Sequence, residues 1–199
     1  MQVRIDIWLS FLSYMTVTAL SPGPNNILAL NAAGNYGLRR SRNLLLGIYV
    51  GFSLVQLLCG AFSGLLAAFL PGVLPYMKYL GGGYILWLAW HVAVSRPMED
   101  DGTVRTLSVW KGFFLQFVNI KIILCGITAF TGYLLPYSSS GWEIAGFVLL
   151  ISLIGNGATC LWAVAGAAFS RFLKKYWRPA DLVMAAMLVC SAVHLILES

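Results

Sequence analysis

Charged residues are scarce in this 199-residue chain, where they occupy 10% of the positions. Ordinary soluble domains contain about 25%. Hydrophobic residues reach 59%, and the mean hydropathy is +0.80. No loop between the apolar runs is long enough to bury a hydrophobic core of its own. These values exclude a soluble globular fold and indicate a membrane protein, with nearly the whole chain embedded in the lipid bilayer.

Motifs for enzymatic chemistry and nucleotide hydrolysis are also missing. The chain contains two histidines and neither an HExxH nor a GxSxG motif, so we predict that it is not an enzyme. It lacks the GxxxxGK[ST] phosphate-binding loop, which argues against ATP hydrolysis. The four cysteines lie in different apolar runs and form no CxxC pair. We therefore predict no metal site, no redox site and no cofactor.

Six apolar segments, separated by charges and turn formers, are long enough to cross a bilayer, which takes about 20 helical residues. They lie at about 7–31, 43–69, 73–94, 112–135, 142–169 and 180–197. We predict an all-α membrane protein in which residues 1–199 form a single transmembrane domain. A cleaved signal peptide is disfavoured, because Asp6 balances the charge before the first segment and the apolar run continues past any small-residue cleavage site.

Positive charges are concentrated in alternate loops. The loops after segments one, three and five hold three, three and four of the 13 Lys and Arg residues, and such residues beside membrane spans are retained in the cytoplasm. Only Arg4 and Lys78 lie on the opposite side. We therefore predict a membrane protein with both termini outside the cytoplasm. This pattern explains the net charge of +6 without nucleic acid, whose binding needs one clustered basic surface.

The stretch LSPGPNNILALN at 20–31 interrupts the first apolar segment. Pro22 and Pro24 lack an N–H, and Pro24 disfavours a helical Gly23, so we expect two half-helices here. The second would begin near Asn25, with its free N–H groups and positive dipole end directed into the protein, where they suit a carboxylate. A proline kink without a binding role is the alternative.

Matching polar residues occur in the fourth segment, in the stretch QFVNIK at 116–121. Gln116, Asn119 and Lys121 lie about as far into that segment as the break lies in the first. A lysine within a span costs about 2.5–3.5 kcal/mol on insertion scales, so it normally faces a cavity or a partner. The alternative is that Lys121 extends to the cytoplasmic interface alongside Lys111. No Asp or Glu is predicted deep in any span.

Polar interruptions at matched positions are typical of transporters built from inverted repeats. We predict two repeats of three helices, at about 1–95 and about 108–199, inserted in opposite orientations. The N-terminal end of the second half-helix, together with Lys121, would bind the carboxylate of the substrate. The carbonyl groups of the first break, together with Asn119, would bind its amino group. The candidate substrate-binding residues are Ser21, Pro22, Gly23, Pro24, Asn25, Asn26, Gln116, Asn119 and Lys121.

Further polar and small residues have two interpretations each. Gln56, Asn156 and Thr159 would either line the pathway or form hydrogen bonds between helices. The Gly47xxxGly51 and Gly60xxxGly64 faces allow close helix contact. We expect that contact within one subunit, with a homodimer face as the alternative.

The chain resembles the LysE/RhtB family of amino-acid exporters in SPGPNN, in GGGYILWLAW at 81–90 and in QFVNIK. PGPNNILAL and QFVNIKIILCGITA are similar to the cysteine and O-acetylserine exporters of that family. The resemblance extends over the whole chain and implies export of small neutral amino acids driven by an ion gradient, with the proton as the expected ion. Homoserine, threonine or leucine are the alternative substrates, and a passive amino-acid channel is the alternative of another class.

One position departs from the family pattern. Many members of the LysE/RhtB family carry Asn-Pro-Lys in the fourth segment, whereas this chain has Asn119-Ile120-Lys121. Without a proline the backbone can continue its hydrogen bonding, so the sequence leaves open whether the fourth helix is broken.

Reporter fusions test the predicted orientation. Fusions after Arg42, Gly102 and Lys175 should report a cytoplasmic location, because these positions follow or lie within the basic loops. Fusions after Pro75, after Ser139 and at the C-terminus should report a periplasmic one. The reverse pattern would contradict the opposite insertion of the two halves.

Overall fold

A computed structural model describes residues 2–94, 107–137 and 140–197. These ranges form helices and contain no strand, which confirms the predicted all-α class. The helices are α1 (Gln2–Leu20), α2 (Pro24–Ala93), α3 (Val109–Val118), α4 (Ile120–Ala129), α5 (Gly141–Ala168), α6 (Ser170–Lys175) and α7 (Trp177–Leu197). A π-helical turn, Phe130–Leu134, continues α4.

Two helical stretches are long and apolar enough to cross a membrane on their own. They are Pro24–Ser63 in α2 and Gly141–Ala168, which is α5. A third is obtained if α3 and the helix that follows it count as one bent span. The apolar helix Ile5–Leu20 is shorter. The chain is thus a helical membrane protein. Six separate spans stay a prediction, because the structure has two helices, α1 and α2, where three segments were predicted.

The loop predicted around residues 32–42 is reduced to a turn at one residue. Gly37 has φ 78° and ψ 160° inside α2, a conformation that glycine adopts without a steric penalty. The helical arms on either side pack together through small and branched side chains. This cluster contains Ala29, Ala32, Ala33, Leu44, Leu45, Ile48 and, from α5, Ala163.

The rest of α2 folds back past its own beginning. A straight α-helix rises 1.5 Å per residue, which would place Ile48 and Ile85 roughly 55 Å apart. Ile27 nevertheless shares a buried cluster with Ile85, and Ala29 shares one with Ile48. The element therefore contains three arms that return past one another, and the third arm packs on Leu188 of α7.

Backbone-to-backbone contact joins the second arm of α2 to α3. A Cβ added at Gly47 would collide with the carbonyl oxygen of Val109, and one at Gly112 with that of Leu44. At Gly51 the added Cβ would lie 2.7 Å from the carbonyl oxygen of Phe113. The close helix contact expected for the first small-residue face is therefore found within the subunit. The homodimer face stays a prediction.

Substituting these glycines should separate the two helices. We expect Gly47→Ala to destabilise the protein by about 1–3 kcal/mol, because an overpacked contact forces the backbones apart. Gly157→Ala is the matched control, since an added Cβ there has no atom within 4 Å; it should be neutral or stabilising by about 0.5–1 kcal/mol. Thermal unfolding in detergent measures both, and equal midpoints would contradict the close contact.

Candidate functional site

The first break separates α1 from α2, as expected from the two prolines. Gly23 has φ −165° and ψ 174°, an extended conformation, and Pro24 opens α2. The last carbonyl groups of α1 would be left without partners at such an end. The Ser21 N–H donates to the Val17 carbonyl at 3.0 Å, and Ser21 Oγ donates to the Thr18 carbonyl at 2.8 Å. Ser21, within the break, thus supplies the donors for two of these carbonyl groups.

Side chains from other helices bond the remaining carbonyl groups of the break. Asn26 Nδ2 donates to the Ala19 carbonyl at 2.7 Å and to the Ser21 carbonyl at 3.0 Å. Trp162 Nε1 of α5 donates to the Leu20 carbonyl at 3.2 Å, and on the other side Ser191 Oγ of α7 donates to the Pro22 carbonyl at 3.3 Å. The sequence patterns had not pointed to either of these two donors. The carbonyl groups from Ala19 to Pro22 therefore all have donors.

Unlike the carbonyl groups at the end of α1, the first N–H groups of α2 lack backbone partners within the described chain. The first backbone bond of the helix runs from the Ile27 N–H to the Gly23 carbonyl, at 2.9 Å. No side chain caps this end, and within the described chain the N–H groups of Asn25 and Asn26 have no backbone partner. Both residues line a cavity. A helix start with free N–H groups is suited to an anion.

The fourth helix is broken, a point that the sequence left open. Asn119 has φ −83° and ψ 90° between α3 and α4, and the two helices are bent by 59°. No proline causes this break, and Asn119, the N-cap of α4, forms no side-chain capping bond. The first backbone bond of α4 runs from the Ile122 N–H to the Asn119 carbonyl at 3.1 Å. The side-chain Nδ2 of Asn119 is held by Asn25 Oδ1 at 3.2 Å.

Three amide side chains join the two breaks. Asn25 Nδ2 donates to Gln116 Oε1 at 2.7 Å, and Gln116 Nε2 returns a bond to Asn25 Oδ1 at 3.1 Å. Asn119 shares the same Asn25 oxygen. All three side chains are buried, so these bonds are shielded from competition with water and orient the two breaks relative to each other.

Lys121 lies at the first break, which excludes the alternative that it extends to the cytoplasmic interface. Its Nζ donates to Ser21 Oγ at 2.6 Å and to the Ser21 carbonyl at 3.1 Å. A Cβ added at Gly23 would lie 2.9 Å from this nitrogen, so glycine makes room for it. The cation thus lies at the negative, C-terminal end of α1, whereas the sequence hypothesis placed it with the N-terminal end of α2.

A cavity of about 40 Å³ lies where the two breaks meet. This volume has room for about three water molecules, so an amino acid fits only if the cavity enlarges. Within the described chain, no group of three or more His, Cys, Asp or Glu side chains could hold a metal ion. The lining residues are Met15, Thr18, Ala19, Gly23, Pro24, Asn25, Asn26, Phe52, Asn119, Lys121, Ile122, Cys125, Gly155 and Thr159.

Of the three polar residues predicted to line the pathway or bond between helices, only Thr159 lines this cavity. Its hydroxyl donates to Asn26 Oδ1 at 3.1 Å. Gln56 Nε2 donates to the Ile122 carbonyl at 3.2 Å, and Asn156 Nδ2 donates to Ser53 Oγ at 3.3 Å. These two residues therefore connect helices away from the cavity.

A buried acidic residue was not expected from the sequence. Asp181, near the start of α7, is 6% exposed, and its Oδ1 accepts a bond from Asn31 Nδ2 at 3.3 Å. Asn35 in turn donates to Asn31 Oδ1 at 3.2 Å. The spacing of Asn31 and Asn35 allows their mutual bond within α2, but no pattern in the sequence links either residue to Asp181.

Buried polar residues that meet where two membrane helices are interrupted are the site architecture of secondary transporters. Over 186 residues the chain is 40% identical to the cysteine/O-acetylserine efflux proteins of Escherichia coli (strain K12) and Shigella flexneri, covering 94% of this chain and 95% of each relative. The chain belongs to the family of these efflux proteins, which confirms the resemblance to exporters and the prediction that it is not an enzyme. No family model and no solved structure matches the chain.

A double-mutant cycle tests the bonds between the breaks. Asn25→Leu leaves Gln116 Oε1 and Asn119 Nδ2 without their partner, which should cost about 1–3 kcal/mol of stability. Gln116→Leu should cost a similar amount. The double variant should cost less than the sum, because the two amides are removed together.

Thermal unfolding in detergent measures each variant of this cycle. Asn35→Leu is the control, since Asn35 donates only within α2; we expect a change below about 0.5 kcal/mol. Additive costs in the Asn25 and Gln116 variants would show that these side chains do not interact.

Proposed function

We propose that this protein is a secondary transporter that exports small neutral amino acids, with cysteine and O-acetylserine as substrates, from the cytoplasm across the bacterial inner membrane. The observation that carries the proposal is the meeting of two helix breaks, with the starts of α2 and α4 and one lysine around a single cavity. The names of relatives that are 40% identical over almost their whole length supply the substrates.

The carboxylate of the substrate would bind at the starts of the two half-helices. Asn25 and Asn26 line the cavity, and their N–H groups have no backbone partner in the described chain. Lys121, on the first turn of α4, adds a positive charge. Free N–H groups, two positive dipole ends and an ammonium together favour an anionic group.

The apolar lining of the cavity suits a small uncharged side chain. Met15, Cys125 and Phe52 line it, and the sulfur atoms of Met15 and Cys125 are 3.7 Å apart. Lys121 is the only charged residue among the lining residues. A charged substrate side chain would find no counter-charge at this wall, which agrees with export of neutral amino acids.

We further propose that residues 1–199 form six spans in two inverted repeats, at about 1–95 and about 108–199. The pairing of helices across the halves supports this. The two breaks bond to each other through Asn25 and Gln116, the second arm of α2 places Phe52 against Gly155 of α5, and the third arm packs on α7. Each helix of the first half thus contacts its counterpart in the second.

The orientation with both termini in the periplasm belongs to the same proposal. A Cβ added at Gly166, near the end of α5, would collide with the carbonyl oxygen of Leu30, in the arm that leads to the Gly37 turn. The exposed Arg39 and Arg40 after that turn, and the basic segment after α5, therefore lie at one end of the bundle. This end would face the cytoplasm.

The proton gradient is the proposed driving force, because the sequence offers no site for ATP hydrolysis. Counterflow in proteoliposomes tests the transport function. Labelled cysteine or O-acetylserine should accumulate when the unlabelled amino acid is present on the other side. A channel would show no such trans-stimulation, and counterflow of only homoserine, threonine or leucine would reassign the substrate.

Lys121→Met tests the site within this assay. The variant should reach normal abundance, because the Ser21 carbonyl keeps its bond from Asn26 and Ser21 Oγ keeps its bond to Thr18. Counterflow should fall at least tenfold, since the charge that binds the carboxylate is lost. Unchanged counterflow at normal abundance would remove Lys121 from the binding site.

A further inference from the structure

We propose that Lys121 is a built-in substitute for the ammonium group of the substrate. In this structure its Nζ occupies the acceptors on Ser21 to which the substrate's own ammonium binds during transport. Ser21 is then the positioning residue for the amino end of the substrate. This inference rests on the export of amino acids proposed above.

The oxygens of Ser21 form an acceptor site for a cation. The hydroxyl proton is committed to the Thr18 carbonyl at 2.8 Å, so towards Lys121 Nζ, 2.6 Å away, Oγ can only accept. The Ser21 carbonyl accepts from the same nitrogen at 3.1 Å. Both oxygens lie just past the end of the 19-residue α1, where the helix dipole is negative. Any ammonium group meets the same attraction here.

The cavity has an unbalanced positive charge. Lys121 is its only charged lining residue, and its bonding partner Ser21 is neutral. A zwitterionic amino acid inserted between Lys121 and Ser21 gives each of them a better partner. Its carboxylate pairs with Lys121, and its ammonium binds the Ser21 oxygens. The substrate's ammonium then takes over the two charge-assisted bonds that Lys121 makes to Ser21, and Lys121 gains an ion pair with the carboxylate.

Insertion of the substrate has a geometric consequence. The contact of 2.6 Å between Nζ and Oγ must lengthen to roughly 6–8 Å, since the substrate adds its own width and a second hydrogen bond of about 2.8 Å. Ser21 belongs to the first break and Lys121 to the second. Substrate binding therefore requires the Lys121 ammonium to move off Ser21, and in the empty protein the ammonium returns to Ser21.

The surroundings leave room for this exchange. Lys121 and Ser21 also line a groove of about 970 Å³ that runs between α1, α4 and α7. The lysine thus lies at the boundary between the cavity and a larger space, and a change of side-chain conformation moves its ammonium off Ser21. Gly23 permits the present position, because a Cβ there would lie 3.1 Å from Lys121 Cδ.

Ser21→Asp and its neutral isostere Ser21→Asn provide the test. An aspartate would hold Lys121 as a salt bridge that the substrate's ammonium displaces poorly. We expect counterflow of cysteine by Ser21→Asp to be at least tenfold slower than by Ser21→Asn at equal abundance. Its unfolding temperature in detergent should be higher than that of Ser21→Asn, and added cysteine should no longer raise it. A merely structural defect would lower that temperature.

Two further variants make the result specific. Ser21→Asp combined with Lys121→Met should lose the rise in unfolding temperature, since no ion pair remains. If Ser21→Asp does not reach the membrane, the KM for cysteine decides instead. It should rise about tenfold or more in Ser21→Ala, which loses an acceptor for a charged group, and return towards the wild-type value in Ser21→Thr.

The outcomes separate this inference from the proposed function. Wild-type protein that shows no counterflow of any tested amino acid overturns the proposed function. Wild-type counterflow together with equal rates in Ser21→Asp and Ser21→Asn overturns the role of Ser21 and Lys121 alone. If the KM for cysteine is measured instead, equal values in Ser21→Ala and Ser21→Thr also overturn the role of Ser21 and Lys121.

Discussion

Every backbone polar group inside a bilayer must find a partner within the protein, because lipid offers none. This constraint organises the structure around the end of α1. The carbonyl groups from Thr18 to Pro22 accept bonds from the break itself, from the first turn of α2, from α4, from α5 and from α7. Four other helices thus send a side chain to one interrupted helix, and a bundle centred on this point results.

The two sides of the first break are satisfied differently, and this difference gives the site its chemistry. The acceptors are all bonded, whereas the N–H groups of Asn25 and Asn26 have no backbone partner in the described residues. Satisfying the carbonyl groups requires donors, and one of them is the ammonium of Lys121. Positive charge and free donors therefore collect at the same cavity, where they favour an anion.

Features set by covalent geometry could be predicted from the sequence, and features set by contacts between helices could not. The first break follows from Pro22 and Pro24, which exclude continuous hydrogen bonding wherever they occur in a helix. The break at Asn119 has no such cause. It is held by the hydrogen bond that Asn119 Nδ2 donates to Asn25 Oδ1, 94 residues earlier in the chain, a contact that the residues around position 119 do not reveal.

The same distinction applies to Lys121. Its position within an apolar segment correctly predicted that the ammonium faces the protein, because the cost of exposing it to lipid is a local property. Its partner was not predictable, since Ser21 lies 100 positions away. The turn at Gly37 is intermediate: glycine permits the positive φ, but only the packing of Ala29 and Ala33 on Leu44 shows that the chain reverses there.

The different origins of the two breaks have a mechanical consequence. The first break persists in any arrangement of the neighbouring helices, because Pro24 cannot donate a hydrogen bond and fixes its own φ. The second break has no proline, and Asn119 is tied to Asn25 by the hydrogen bond that its Nδ2 donates. If the halves separate to admit a substrate, the bonds from Gln116 and Asn119 to Asn25 must open, together with those from Lys121 to Ser21. The first break thus keeps the free donors of α2 in place by covalent geometry, whereas the second depends on contacts between helices.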